Sequence, residues 1–95
     1  MHEYAKRKNG PEGWFDVRSH LCIWLGERLE YMSKHHRTYP EGMTHDEWSR
    51  ELGKHAYNLL DHGKRDAEGD ADSDTTRRAK ESLGWVALNL ESLWD

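Results

Sequence analysis

Apolar positions recur at helical spacing in three stretches of the chain, and glycines, prolines and polar runs separate them. From Val17 to about His36, Val17, Leu21, Trp24, Leu25 and Met32 fall on one face near a 3.6-residue period, with Cys22 and Leu29 on its flank. Asp16 is placed to cap this helix. The pattern breaks through Tyr39, Pro40, Glu41 and Gly42, and Thr44 with Glu47 then has the spacing of a capping box. A second helix follows, with Trp48, Leu52, Ala56 and Leu59 as its buried stripe, Leu60 at its edge and Gly63 as its expected stop. Lys64 to Asp74 is almost wholly polar and reads as a mobile loop whose carboxylates favour the start of a third helix. That helix is expected from about Thr75 to Trp94, with Ala79, Leu83, Val86, Ala87, Leu90, Leu93 and Trp94 on one face.

These elements predict an all-α fold: an antiparallel three-helix bundle over residues 16–95, preceded by a charged N-terminal arm over residues 1–15. Trp24, Trp48 and Trp94 are the expected large core fillers, and the pair Trp14 and Phe15 is expected to anchor the arm. Two groups of residues misfit this pattern. Arg28 stands in the middle of the first apolar stripe, so it either reaches a carboxylate such as Glu51 or a helix end, or faces a partner at the mouth of a groove. Trp85 and Leu88 lie off the stripe of the third helix, as Ile23 does on the first. They are either a contact surface or are covered by Trp14 and Phe15.

Composition narrows the function classes. Charged residues make up 34% of the 95 positions with a net charge of -4, so no single-sign field is present to drive non-specific nucleic-acid binding or to mimic DNA. A single cysteine, Cys22, excludes an intramolecular disulfide and a Cys-pair zinc site, and fits a cytosolic protein. No apolar run is long enough to span a bilayer, and the polar start has no signal-peptide core, so no membrane association is expected.

Candidate chemistry is weak at every point. Asp70, Asp72 and Asp74 alternate like the start of a calcium loop, but the glycine and the closing glutamate of that loop are not matched. Seven histidines include no ligand set, since His55 and His62 are seven residues apart and His35 and His36 are adjacent. Arg50 and His55 have the spacing found in HEPN-type ribonucleases, and Glu27 with Glu30 matches half of the metal motif of all-helical nucleotide pyrophosphohydrolases. No serine or cysteine nucleophile has a matched base. The expectation is a non-enzyme without cofactor, metal or catalytic residues.

Several segments together resemble a family of small helical proteins common in bacteriophages and prophages. They are Trp14 to Asp16, Glu27-Arg28-Leu29, Tyr39-Pro40-Glu41-Gly42-Met43-Thr44 with Glu47-Trp48, and Glu81-Ser82-Leu83 onward to Leu93-Trp94-Asp95. About two thirds of the chain is covered, and the linker and the C-terminal Leu-Trp are the distinctive parts. The chain departs from the pattern with Glu27 in place of proline, His55-Ala56 in place of Met-Ile, and Gly84-Trp85-Val86 in place of Leu-Phe. The resemblance implies a phage product in the cytoplasm of the host bacterium and carries no reaction with it.

The expected function is therefore an interaction protein that binds a host or phage protein, by analogy an inhibitor of the anti-CRISPR or wider anti-defence kind. Trp85 and Leu88 are the expected apolar anchors, with Trp24, Arg28 and Tyr31 as a second edge. Direct nucleic-acid binding is not expected; its supports are Lys6 to Lys8, Lys34 to Arg37, Arg77, Arg78 and Lys80, and the Arg50/His55 pair. A homodimer through the outer face of the third helix, with a role in assembly, is the third reading.

Overall fold

The computed structural model describes residues 10–94; the first nine residues of the expected arm lie outside that range. A short 3-10 turn at Trp14–Asp16 leads into α1 (Val17–His35), followed by α2 (His45–Ala67), α3 (Ser73–Leu88) and a second 3-10 turn at Leu90–Ser92. The described residues form an all-α three-helix bundle with no strand.

Each helix start has a side-chain reason. Asp16 accepts from the Ser19 amide, and Thr44 and Glu47 form the expected capping box, with Glu47 N to Thr44 Oγ1 at 3.1 Å and Thr44 N to Glu47 Oε1 at 2.8 Å. Asp72 and Thr75 form a second reciprocal box, so α3 begins at Ser73 rather than Thr75. The expected loop shrinks because α2 runs on past Gly63 to Ala67. The chain then turns at Gly69, whose φ of +76° is the left-handed conformation glycine adopts without strain.

Gly63 lies in a helix contact instead. A Cβ there would stand 2.7 Å from Ile23 Cγ1 and 3.1 Å from the Ile23 amide nitrogen, and one on Gly26 would stand 2.7 Å from Leu60 Cγ. The two glycines let the α1 and α2 backbones close together. Ile23 is thus part of the α1–α2 contact and not a misplaced surface residue.

α2 is the central helix, with α1 along one side and α3 along the other, and α1 and α3 scarcely meet. The core consists of Cys22, Leu29, Trp48, Leu52, Ala56, Leu59 and Ala79, with Leu25, Met32, Leu83, Trp85 and Val86 half-buried against it. Of the three expected core tryptophans only Trp48 is buried; Trp24 is 55% exposed and Trp94 is 70% exposed. The inward face of α1 is Ser19, Cys22, Gly26 and Leu29, whereas Val17, Leu21 and Trp24 face outward. Small side chains permit close approach to α2, and the bulky stripe is left outside. On α3, Thr75, Ala79 and Ser82 are buried, while Ala87 and, past the end of the helix at Leu88, Leu90 and Trp94 of the expected stripe are exposed.

Candidate interaction surface

α1 is apolar on two sides. Outward, Val17, Leu21, Trp24, Arg28, Tyr31 and His35 follow one another in steps of four and three residues, which aligns them along one face of the helix. Val17, Trp24 and Tyr31 are 60%, 55% and 67% exposed, so the face is both aromatic and solvated. Neighbouring side chains on it are pre-stacked. The Arg28 guanidinium lies 4.1 Å over the Trp24 ring and donates to the Trp24 carbonyl at 3.0 Å, and Tyr31 stacks on His35 at 4.0 Å. Arg28 is therefore neither buried nor paired with Glu51. Among the described residues the carboxylate beside it is Glu27, at 3.7 Å. An open groove of about 1050 Å³ runs along the N-terminal half of this face, lined by Trp14, Val17, Leu21, Trp24, Arg28 and Ala67 among others.

The expected anchor pair on α3 is divided by the fold. Leu88 is exposed, at 88%, but Trp85 turns inward, its ring 4.2 Å from that of His55 in a stack and 5.5 Å from that of Trp48. Trp85 is a half-buried packing residue because α3 is rotated so that Ser82 and Trp85 face α2. Trp14 and Phe15 do not cover it. Ser19 Oγ donates to Asp66 at 2.6 Å, which places the start of α1 beside the end of α2, whereas Trp85 packs beside Trp48 near the start of α2.

The α2–α3 contact combines the apolar packing of Ala79, Leu83, Trp85 and Val86 with a set of polar side chains. His55 Nδ1 and Ser82 Oγ are 2.8 Å apart, and Asn58 donates its side-chain amide to the same oxygen at 3.0 Å. Burial lowers the His55 pKa and favours the neutral ring, which shares a hydrogen bond with the Ser82 hydroxyl at Nδ1 and has Nε2 3.7 Å from Glu51. The order serine, histidine, glutamate has the outline of a nucleophilic triad. Ser82, however, has no exposed surface, so no substrate reaches its hydroxyl and the grouping joins two helices.

Farther along the same contact, Arg78 bridges Asp74 at 3.1 Å and Asp61 at 3.2 Å, and Arg65 joins Asp61 at 3.2 Å. Arg77 is held by Asp74 and Glu81. The Arg77 and Arg78 charges are thus already answered by carboxylates of the chain. Hydrogen bonds from Arg77 and Arg78 hold the Asp74 carboxyl below its ordinary range, and the Ser19 hydroxyl, followed by Arg18, does the same at Asp66.

Nor do the other catalytic and metal patterns assemble. His55 is buried against Ser82 and Trp85 of α3, whereas Arg50 of the ribonuclease-like pair is exposed. Glu27 and Glu30 are both exposed, and among the described residues no group of three or more His, Cys, Asp or Glu side chains could hold a metal ion. No helix of the described residues is long and apolar enough to cross a membrane.

The two interior faces that the apolar periodicity missed had a signal of their own. Small residues repeat at helical spacing as Ser19, Cys22 and Gly26 on α1 and as Thr75, Ala79 and Ser82 on α3. The chain matches no protein-family model, no curated protein and no solved structure.

Proposed function

We propose that the protein works without catalysis, by binding another protein through the outer face of α1. The observation that carries this reading is the second apolar stripe: Val17, Leu21, Trp24 and Tyr31 stay in water while the opposite side of the same helix builds the core. A helix apolar on both sides is suited to lie between two layers, and α2 supplies only one. Aromatic residues and arginine are the side chains that dominate binding energy at interfaces, and Trp24, Arg28 and Tyr31 stand together here. The expected anchor pair of Trp85 with Leu88 gives way to this second edge, since Trp85 is occupied in packing.

The resemblance to small phage proteins points to a phage-encoded product in the host bacterial cytoplasm, with a host or phage protein as partner and inhibition of a defence system as the role. Affinity capture from infected bacteria tests this, comparing the parent chain with a Trp24→Glu, Tyr31→Glu variant that keeps its helical circular dichroism. One stoichiometric protein retained by the parent and lost from the variant is the expected result. Equal recovery by both chains would remove the α1 face from the proposal.

A further inference from the structure

We infer that in the free protein the outer face of α1 is covered by a second copy of the chain, packed antiparallel about a twofold axis near Gly26. The inference rests on the reading of this face as the interaction surface. Its first ground is spacing: positions 17, 21, 24, 28, 31 and 35 repeat every 3.5 residues, the period at which two helices keep one seam in contact. Its second ground is charge. A parallel pairing would set Arg28 against Arg28 in the middle of the seam. An antiparallel pairing centred on position 26 sets Trp24 against Arg28 of the second copy, Leu21 against Tyr31, and Val17 against His35.

That arrangement is self-complementary at its centre. Glu27 and Arg28 are adjacent, so the twofold brings each guanidinium to the other copy's Glu27 carboxylate as well as to the other copy's Trp24 ring. In one copy the guanidinium already lies over its own Trp24 ring and 3.7 Å from its own Glu27, and both it and that carboxylate stay more than half exposed, so both can be shared across the twofold. The third ground is area. The whole exposed surface of Val17, Leu21, Trp24, Arg28 and Tyr31 is roughly 600 Å² per copy, so a seam that covers it buries at most the ~1,200 Å² total at the lower end of specific interfaces. An interface of that size implies a dimer that dissociates on dilution and frees the face for another partner.

Sedimentation equilibrium over a hundredfold concentration range tests the inference. The parent chain is expected to pass from monomer to dimer. Trp24→Glu and Arg28→Glu should each weaken association at least tenfold while leaving helicity and the melting temperature nearly unchanged. The double variant Glu27→Arg, Arg28→Glu should recover association relative to Arg28→Glu alone, because the exchanged charges still meet across the twofold. A dimer that persists in Trp24→Glu would overturn the inference and place self-association elsewhere, as on α3. A parent chain that stays monomeric at all concentrations would also overturn it. The capture experiment separates the two ideas: a partner lost on Trp24→Glu keeps the protein-binding reading, and an unchanged eluate removes that reading, while sedimentation alone decides the dimer.

Discussion

At His55 a proton tells the folded and unfolded chains apart. The unfolded ring takes up its proton near 6.5, whereas the buried ring resists it to lower pH. A depressed folded value contributes stability that is complete above the unfolded pKa and is lost as pH falls through it. Resistance to urea is therefore expected to be flat at pH 7.5–8 and to decline from about pH 6.5 downward. The carboxyl of Asp66, held low by Ser19 and Arg18, adds a further decline only below about pH 4. Urea midpoints at pH 8 and 5.5 check this, with His55→Gln expected to start less stable and to lose less between the two. An unchanged midpoint in the parent chain would contradict the burial of a neutral ring.

Among the elements, four glycines in helices divide into two pairs with opposite expectations. Gly26 and Gly63 sit where α1 and α2 touch, and a methyl on either meets backbone nitrogen at 3.1 Å as well as side-chain carbon at 2.7 Å. Alanine there is expected to destabilise by about 1–3 kcal/mol, an overpacking cost that exceeds the ~1 kcal/mol gained in helix propensity. Gly53 in α2 and Gly84 in α3 have nothing within 4 Å of where a methyl would stand and no positive φ, so alanine there should stabilise by about 0.5–1 kcal/mol. Thermal melts of the four single variants check both signs.

The same close approach explains what could be read from the residues and what could not. Thr44, Glu47 and Asp16 announce helix starts because caps are local chemistry, and Trp48, Leu52 and Leu59 announce the inner face of α2 because that helix is apolar on one side only. α1 is apolar on two sides, and periodicity alone ranks Trp24 above Cys22 by size. What decides is the contact distance to α2, which small residues allow and Trp24 would forbid. The same holds on α3, where Ser82 faces inward and Leu88 faces out. Gly63 looked like a stop for the same reason: without the partner helix, its use as a contact residue leaves no mark in the local pattern. Of the candidate surface, the sequence offers Trp24, Arg28 and Tyr31 as a second edge, and its extension to Val17, Leu21 and His35 follows once the inner face of α1 is known.

For the whole molecule, a middle helix holding two neighbours that scarcely touch each other has a consequence for how it opens. α1 is joined to α2 by an extensive, close apolar contact around Cys22, Gly26 and Leu29, whereas α3 makes a smaller contact in which Ala79, Leu83 and Trp85 share the interface with His55, Asn58, Asp61, Ser82 and Arg78. Hydrogen bonds of this kind contribute about 0.5–1.5 kcal/mol each and are readily exchanged for water. The amides of α3 are therefore expected to exchange through an opening of lower free energy than those in the middle of α2, with α1 and α2 still paired. Native-state hydrogen exchange read by mass spectrometry checks it; equal protection across Ser73–Leu88 and His45–Ala67 would show one cooperative unit.

The polar contact between α2 and α3 also acts as a key that fits one alignment. An apolar seam tolerates a helix sliding by a turn, since one leucine replaces another. Here such a slide would leave His55 without its hydroxyl, set Arg78 away from Asp61 and strand a serine against carbon. The apolar side chains decide that the two helices come together, and the hydrogen-bonding ones decide at which rung they stop.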